Sequence, residues 1–304
     1  MRRVLLTGAS GFIGRACVAP LRARGYEVHG VSRRAGPPVD GVVMHRGDLL
    51  DLPALPGLLA RIGATHLLHA AWDVTPGYWI SPANAAWREA GRALLAGFIA
   101  AGGRRAVGVG SCAEYVWDRP VLAEANAGPA PATAYGAAKL ALGQDFGAAG
   151  HLGAWARLFF PYGPHEARGR LLPEVIQGLL HGTPVALTAG TQIRDVMAVG
   201  DVGAALAALL DSALGGAVNI GAGAGIALAD LAREAARQLG GAGLLRFAAL
   251  PMRDGEPPAL VADGRRLRAE LGFAPRIGLA EGVADAIAYW RAAPPDAAAG
   301  SVPD

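Results

Sequence analysis

Short apolar runs recur along the first half of the chain at Val4–Thr7, Glu27–Ser32, Val42–Arg46, His66–Ala70 and Arg105–Gly110, each bounded by Gly, Pro or Asp. Runs of this length with such boundaries are the pattern of buried strands. Between them lie stretches long enough for helices, of which the Ala-rich Ala83–Ala101 is the clearest. Strand patterns alternating with helix patterns predict an α/β chain, a doubly wound parallel sheet of the Rossmann type wrapped by helices. Beyond Pro161 the alternation loosens into pieces punctuated by Pro and Gly, with helix-compatible stretches at Leu171–His181, Asp201–Ser212, Leu228–Leu239 and Leu279–Arg291. The pattern therefore predicts a first domain over 1–160, a smaller lobe over 161–292, and a flexible tail of small residues, Pro and Asp over 293–304.

The first apolar run leads directly into three glycines, Gly8, Gly11 and Gly14, with Ser10, Phe12 and Ile13 among them, just before a helical stretch. A diphosphate needs hydrogen-bond donors at close range, and the free N–H groups and positive end of a helix N-terminus supply them. Side chains at the glycines would hold that backbone away. A glycine triplet also serves structural turns, but its place after the first strand favours a dinucleotide cradle and makes 1–160 the dinucleotide-binding domain.

Composition narrows the classes. The chain has 304 residues, 52% hydrophobic and 17% charged, with a formal charge of +3, enough to bury a large core. Its arginines stand singly or in pairs, Arg2-Arg3, Arg33-Arg34, Arg104-Arg105 and Arg265-Arg266, with no long basic run, which argues against nucleic acid as partner. Cys17 and Cys112 lie far apart without disulfide or metal-ligand spacing, so a reduced protein without a metal site is expected. No charge-free apolar run reaches membrane-spanning length and the N-terminus enters a strand at once, so no membrane association and a cytoplasmic location are expected.

Tyr135 and Lys139 are four residues apart at the start of a helical stretch, with Pro131 and Thr133 as entry signals, so they share one helix face. A lysine cation beside a tyrosine favours the phenolate, and the pair makes a proton relay. Ser111 lies just past the run Arg105–Gly110, at the carboxyl edge of the sheet where doubly wound folds bind ligands, and its hydroxyl suits a substrate carbonyl.

With these residues in place the chain resembles the extended short-chain dehydrogenase/reductases, the NAD-dependent epimerase/dehydratase family. The matching segments run in order along nearly the whole chain: TGASGFIG at Thr7–Gly14, GDLLD at Gly47–Asp51, HAA at His69–Ala71, SCAEY at Ser111–Tyr115, YGAAK at Tyr135–Lys139, YGPHE at Tyr162–Glu166 and QIRDV at Gln192–Val196. The resemblance implies a catalytic triad of Ser111, Tyr135 and Lys139. It also implies cofactor contacts from Asp48 and Leu49 to the adenine, from His69, Ala70 and Ala71, and from Lys139 to the ribose hydroxyls. The lobe over 161–292 would bind substrate, and the helices of Ala83–Ala101 and Thr133–Gly150 would build a homodimer.

Departures from the family pattern narrow the reaction. The dehydratases carry acidic residues just after the catalytic serine, where this chain has Cys112 and Ala113. Glu114, one place further, reads as a solvated loop charge. Related reductase/epimerases carry a histidine matched by His165 and a cysteine from which Cys112 is displaced by one; a substrate-loop histidine and a buried unreactive thiol are the alternative readings. Phe160 replaces an asparagine that binds the substrate diphosphate, leaving Arg194 and Arg253 as candidate partners for phosphate or sugar hydroxyls. Trp72, Trp79 and Trp87 either stack on a ligand or pack the core. After the second strand, Ser32, Arg33 and Arg34 stand where an NAD site usually has a carboxylate, so NADP is the expected preference, with NAD the other possibility. The resulting expectation is an NADP-preferring 4-ketoreductase of a keto sugar, nucleotide-linked. The alternatives are an NAD-dependent sugar-nucleotide 4-epimerase and a non-catalytic dinucleotide sensor.

Overall fold

The structure, a computed structural model, describes residues 2–34, 36–126 and 131–293; of the tail expected over 293–304, all but its first residue lies outside the described residues. In chain order the first part contains β1 (Arg2–Thr7), α1 (Phe12–Ala23), β2 (Tyr26–Ser32), β3 (Val42–Arg46), α2 (Leu55–Ile62), β4 (His66–His69), α3 (Ala83–Ala100), β5 (Arg105–Ser111), β6 (Val121–Leu122), α4 (Ala134–Ala148) and β7 (Gly153–Leu158). The second part contains β8 (Phe160–Tyr162), α5 (Leu171–Leu180), β9 (Val185–Ala186), β10 (Ile193–Arg194), β11 (Val196–Ala198), α6 (Val199–Leu210), β12 (Gly216–Ile220), β13 (Ile226–Ala227), α7 (Leu228–Leu239), β14 (Leu245–Arg246), β15 (Ala259–Ala262) and α8 (Leu279–Ala292).

Seven parallel strands in the order β12-β7-β5-β4-β1-β2-β3 form the central sheet. Alternation along each strand sends side chains to opposite faces. Val4, Leu6, Leu68, Val107 and Val109 join the core beneath α1 and α6. Leu5, Leu67, Ala106 and Trp155 join the core beneath α2, α3 and α4. Helix α2 illustrates the local logic: Leu55, Leu58, Leu59 and Ile62 form its buried stripe, and left-handed Gly63 ends it.

The second lobe has its own core, built from α5, α7 and α8, and a four-stranded sheet in the order β13-β10-β15-β6. The central sheet draws on both sides of the division at residue 160. Strand β12 closes one edge of the central sheet and α6 packs in the first domain's core, although both lie in the second half of the sequence. Conversely, β6 leaves the first half to pair with β15. The loosened pattern after Pro161 marks an insertion before the last strand of the sheet, not the end of the domain.

Candidate active site

The turn between β1 and α1 is fixed by two close approaches. Gly8 has φ of +71°, and a Cβ there would stand 2.9 Å from the Ala71 nitrogen; a Cβ on Gly14 would stand 2.0 Å from the Gly8 oxygen. Gly11 faces solvent and meets nothing nearer than 3.3 Å. It precedes α1 with neither a side-chain cap nor a first-turn acid among the described residues, which leaves the orphan N–H groups and positive helix end for an anion. Exposed Ser10 and partly exposed Phe12 and Ile13 flank this opening. The cradle fits a dinucleotide diphosphate.

His69, expected to line the cofactor, faces inward. It is 2% exposed, its Nδ1 is 2.8 Å from the Thr7 hydroxyl, and its Nε2 has no hydrogen-bond partner among the described residues. Burial pulls its pKa down to about 3, so the ring is neutral. The Thr7 oxygen also accepts from the Ala71 backbone at 3.2 Å, which ties the ends of β1 and β4 together and leaves Ala70 and Ala71 partly exposed beside the cradle. At the end of β2, Ser32 donates to the Arg34 carbonyl at 2.8 Å and Arg33 is exposed. Asp48 accepts from the Leu50 backbone at 2.9 Å, with Leu49 buried beside it.

Ser111, Tyr135 and Lys139 converge at the end of β5. Ser111 caps a 3₁₀ turn over Cys112–Glu114, its hydroxyl accepting from the Ala113 backbone at 3.2 Å. Thr133 caps α4 by accepting from Gly136 at 3.0 Å, which puts Tyr135 in the first turn and Lys139 one turn later on the same buried face. Tyr135 is 8% exposed and its hydroxyl is pushed above the usual phenol range, chiefly by burial; Tyr78 adds to the rise and a side-chain hydrogen bond with Ser111 opposes it. Lys139, expected to lower it, donates to the Val109 carbonyl at 2.8 Å and lies 3.9 Å from the centre of the Trp72 ring. Burial pulls Lys139 down to about 7, with the charge of Glu114 opposing.

Three aromatic rings stand edge-on to Tyr135, Trp72 at 6.1 Å, Tyr78 at 4.9 Å and Trp79 at 5.6 Å between centroids. Buried Asn84 ties the first two, accepting from Trp72 Nε1 at 2.9 Å and donating to the Tyr78 carbonyl at 2.7 Å. Thus Trp72 and Trp79 belong to the site, whereas Trp87 packs behind Trp72 in the core. Tyr78 escaped the sequence reading, as did Trp155 and Arg157.

Glu114 is corrected outright. It is 0% exposed and paired with Arg157 at 2.7 Å, with burial the main cause of its raised pKa, so it is no solvated loop charge. Cys112 is buried, its thiol pushed up to about 12 chiefly by burial, the state of an unreactive cysteine. Arg194 is also buried, held by Glu256 at 2.9 Å and by the Pro257 and Ile193 carbonyls, close to the Phe160 ring. Arg253 is exposed between β14 and β15. His165 is in a left-handed backbone conformation 4.3 Å from the Tyr289 ring of α8; burial and then Arg15 lower its pKa. An open cavity of about 680 Å³ lies in the second lobe, lined by Arg168, Arg170, α5 and Val185–Leu187. Arg170 connects it to the aromatic wall, 5.9 Å from the Tyr78 ring centre. A signal for Lys139 was present in the composition: it is the only lysine in a chain with 27 arginines.

The model of the NAD dependent epimerase/dehydratase family matches residues 4–221. A UDP-glucose 4-epimerase of Azospirillum brasilense is 27% identical over 322 residues, covering 95% of this chain and 92% of the relative. Among solved structures, MoeE5 in complex with UDP-glucose and NAD is 30% identical, with coverage of 96% and 99% and a TM-score of 0.79. The UDP-glucose 4-epimerase of Thermus thermophilus in complex with NAD is 27% identical, with coverage of 96% and 100% and a TM-score of 0.81.

Proposed function

The chain belongs to the NAD-dependent epimerase/dehydratase family, and on that premise we propose that it is an NAD-dependent 4-epimerase of a nucleotide sugar. The observation that carries this reading is the similarity to a UDP-glucose 4-epimerase along 95% of the chain. The 4-ketoreductase expected from the sequence fits less well, because the relatives named above as enzymes are 4-epimerases. Dehydration is disfavoured by the site itself. Cys112 and Ala113 bring no acid, and Glu114 is turned into the core against Arg157.

In this reading the Gly8–Gly14 cradle holds NAD, which supplies the hydride acceptor and donor when bound. Tyr135 acts as the phenolate, taking the proton of the sugar hydroxyl as that carbon becomes a ketone, and the hydroxyl so formed returns the proton on reduction. Ser111 holds the same oxygen, and Lys139, poised near neutrality, balances the charge that develops on Tyr135. The wall of Trp72, Tyr78 and Trp79 keeps water from the relay. Similarity to MoeE5, whose structure contains UDP-glucose, supports a UDP-sugar as substrate, and the arginine-rimmed cavity beside Tyr78 suits its nucleotide half. The NAD in both solved neighbours favours NAD over the expected NADP, and the Ser32 hydroxyl is already engaged with the Arg34 carbonyl.

The test is incubation of the purified protein with UDP-glucose or UDP-galactose, read by NMR and mass. A product of unchanged mass with inverted C4 configuration, formed without net cofactor consumption, is expected. No epimerisation of either sugar, together with NADPH-dependent conversion of a nucleotide-linked 4-keto sugar to a product heavier by two hydrogens, would reverse the choice in favour of the reductase.

A further inference from the structure

Glu114 has no part in the reaction as described, yet the fold spends three donors on burying it. The Ser111 backbone donates to its Oε1 at 2.7 Å, Trp155 Nε1 lies 2.9 and 3.0 Å from its two oxygens, and Arg157 Nε stands 2.7 Å from Oε2. Arg157 is itself held, donating to the Tyr115 hydroxyl at 3.1 Å and the Glu124 carbonyl at 3.3 Å, and Tyr115 donates to Asn219 at 2.6 Å. The carboxylate occupies space cleared for it: a Cβ on Gly110 would stand 2.3 Å from Oε1. A buried ion pair of this kind is weak evidence for stability, because desolvation offsets most of its attraction. Its position needs another account: it accepts from the Ser111 backbone on one side and from Trp155 Nε1 on the other, and the centre of that Trp155 ring lies 5.9 Å from Lys139 Nζ.

We propose that Glu114 is a positioning residue of this active site, pinning the Ser111 backbone and supplying the buried negative charge that keeps an ammonium at Lys139. The proposal rests on the reading of Ser111, Tyr135 and Lys139 as the reacting groups. The charged and titratable groups facing Glu114 are Arg157 from β7, Lys139 and Tyr135 from α4, and Cys112 and Tyr115 from its own segment; His69 of β4 faces Lys139 from the other side. Of these, Arg157 neutralises Glu114 locally, while desolvation opposes the charge on Lys139 and Glu114 favours it.

Because Lys139 is the sole lysine, ¹³Cε-lysine labelling gives one NMR signal whose titration needs neither substrate nor cofactor. Glu114→Gln keeps the shape and removes the charge. Its expected result is a Lys139 midpoint about one pH unit below wild type, at the low end of opposite-charge effects, with kcat reduced roughly tenfold, by the same factor, and KM little changed. A folded Glu114→Gln protein with wild-type midpoint and kcat would overturn the proposal. Glu114→Asp keeps the charge but shortens its reach to Ser111, and serves if the glutamine variant does not fold. An unchanged midpoint with reduced kcat is expected there, and unchanged kcat counts against the idea. Tyr135→Phe run alongside separates the two levels: wild-type turnover in that variant would remove the triad reading, while the Lys139 titration would still report on Glu114.

Discussion

A methyl group on Gly136 would stand 2.2 Å from the carbonyl oxygen of Ala113, so the first turn of α4 is pressed against the 3₁₀ turn that follows Ser111. The four-residue spacing puts Tyr135 and Lys139 on one face, but this contact brings that face to the serine. Gly136→Ala is expected to destabilise the protein by about 1–3 kcal/mol through overpacking and to lower kcat more than it weakens cofactor binding. Denaturation and turnover measured on the same preparation check both, and an alanine variant of full stability and rate would show that the contact yields easily.

Tyr135→Phe keeps the ring that Trp72, Tyr78 and Trp79 enclose and removes only the hydroxyl. Turnover is expected to fall roughly 10²–10⁴-fold, the usual contribution of general acid–base catalysis. NAD affinity by calorimetry should stay near wild type. Loss of binding in parallel with rate would mean that the ring had moved.

The sheet was legible because its strands are short apolar runs between Gly, Pro and Asp; β3 spans Val42–Arg46 as the pattern predicts, and α7 spans Leu228–Leu239. The return of β12 and α6 to the central sheet and its core was not, since local pattern carries no information about such long-range returns. Ser111, Tyr135 and Lys139 were singled out by spacing and by their place at strand and helix ends, and their convergence at the end of β5 depends on the packing of α4 against it. Glu114 was misread because a loop carboxylate is normally solvated. Its burial depends on Arg157 and Trp155, 43 and 41 residues away.

Lys139 gives a stability test with a definite sign. Its pKa is about 7 in the folded chain against an ordinary 10.5, so between those values the unfolded chain binds more protons and stability rises with pH. Below the folded value both states are charged and the whole cost of burying the ammonium applies. In cofactor-free protein, Lys139→Met should therefore be more stable than wild type near neutral pH, with a margin that shrinks as pH rises toward 10. Urea denaturation across this range provides the measurement, and a margin that grows with pH would contradict the assignment. The same variant should be inactive at every pH.

The outward faces of α3 and α4 carry small side chains, with Ala85, Ala86 and Ala96 exposed on the first beside Arg88 and Arg92, and Ala134 and Ala137 exposed on the second beside Gln144. Small side chains permit close helix approach, and we expect these two helices to pair with those of a second copy. Light scattering should find a dimer at micromolar concentration. Ala137→Glu should dissociate it, and a wild-type protein that is monomeric under these conditions would remove the expectation.

The final prediction concerns how weakly the end of β2 discriminates between NAD and NADP. A carboxylate at that place would accept from both ribose hydroxyls and repel a 2′-phosphate, but the chain has Ser32 followed by exposed Arg33. Neither Ser32 nor Arg33 penalises the phosphate, and the Arg33 guanidinium can bind it, with charge-assisted bonds of about 1.5–3 kcal/mol before desolvation. The Ser32 hydroxyl contributes less than the sequence suggests, because it donates to the Arg34 carbonyl. The protein is thus expected to bind NAD for its reaction while still accepting NADP with measurable affinity. Ser32→Asp should reduce NADP affinity at least about tenfold, one strong charge-assisted bond or its repulsive equivalent, and leave NAD equal or tighter. Arg33→Ala should weaken NADP alone. Calorimetric titration of wild type and both variants with each cofactor decides between the possibilities. If wild type already rejects NADP and Ser32→Asp changes neither affinity, the adenosine ribose lies elsewhere than at the end of β2.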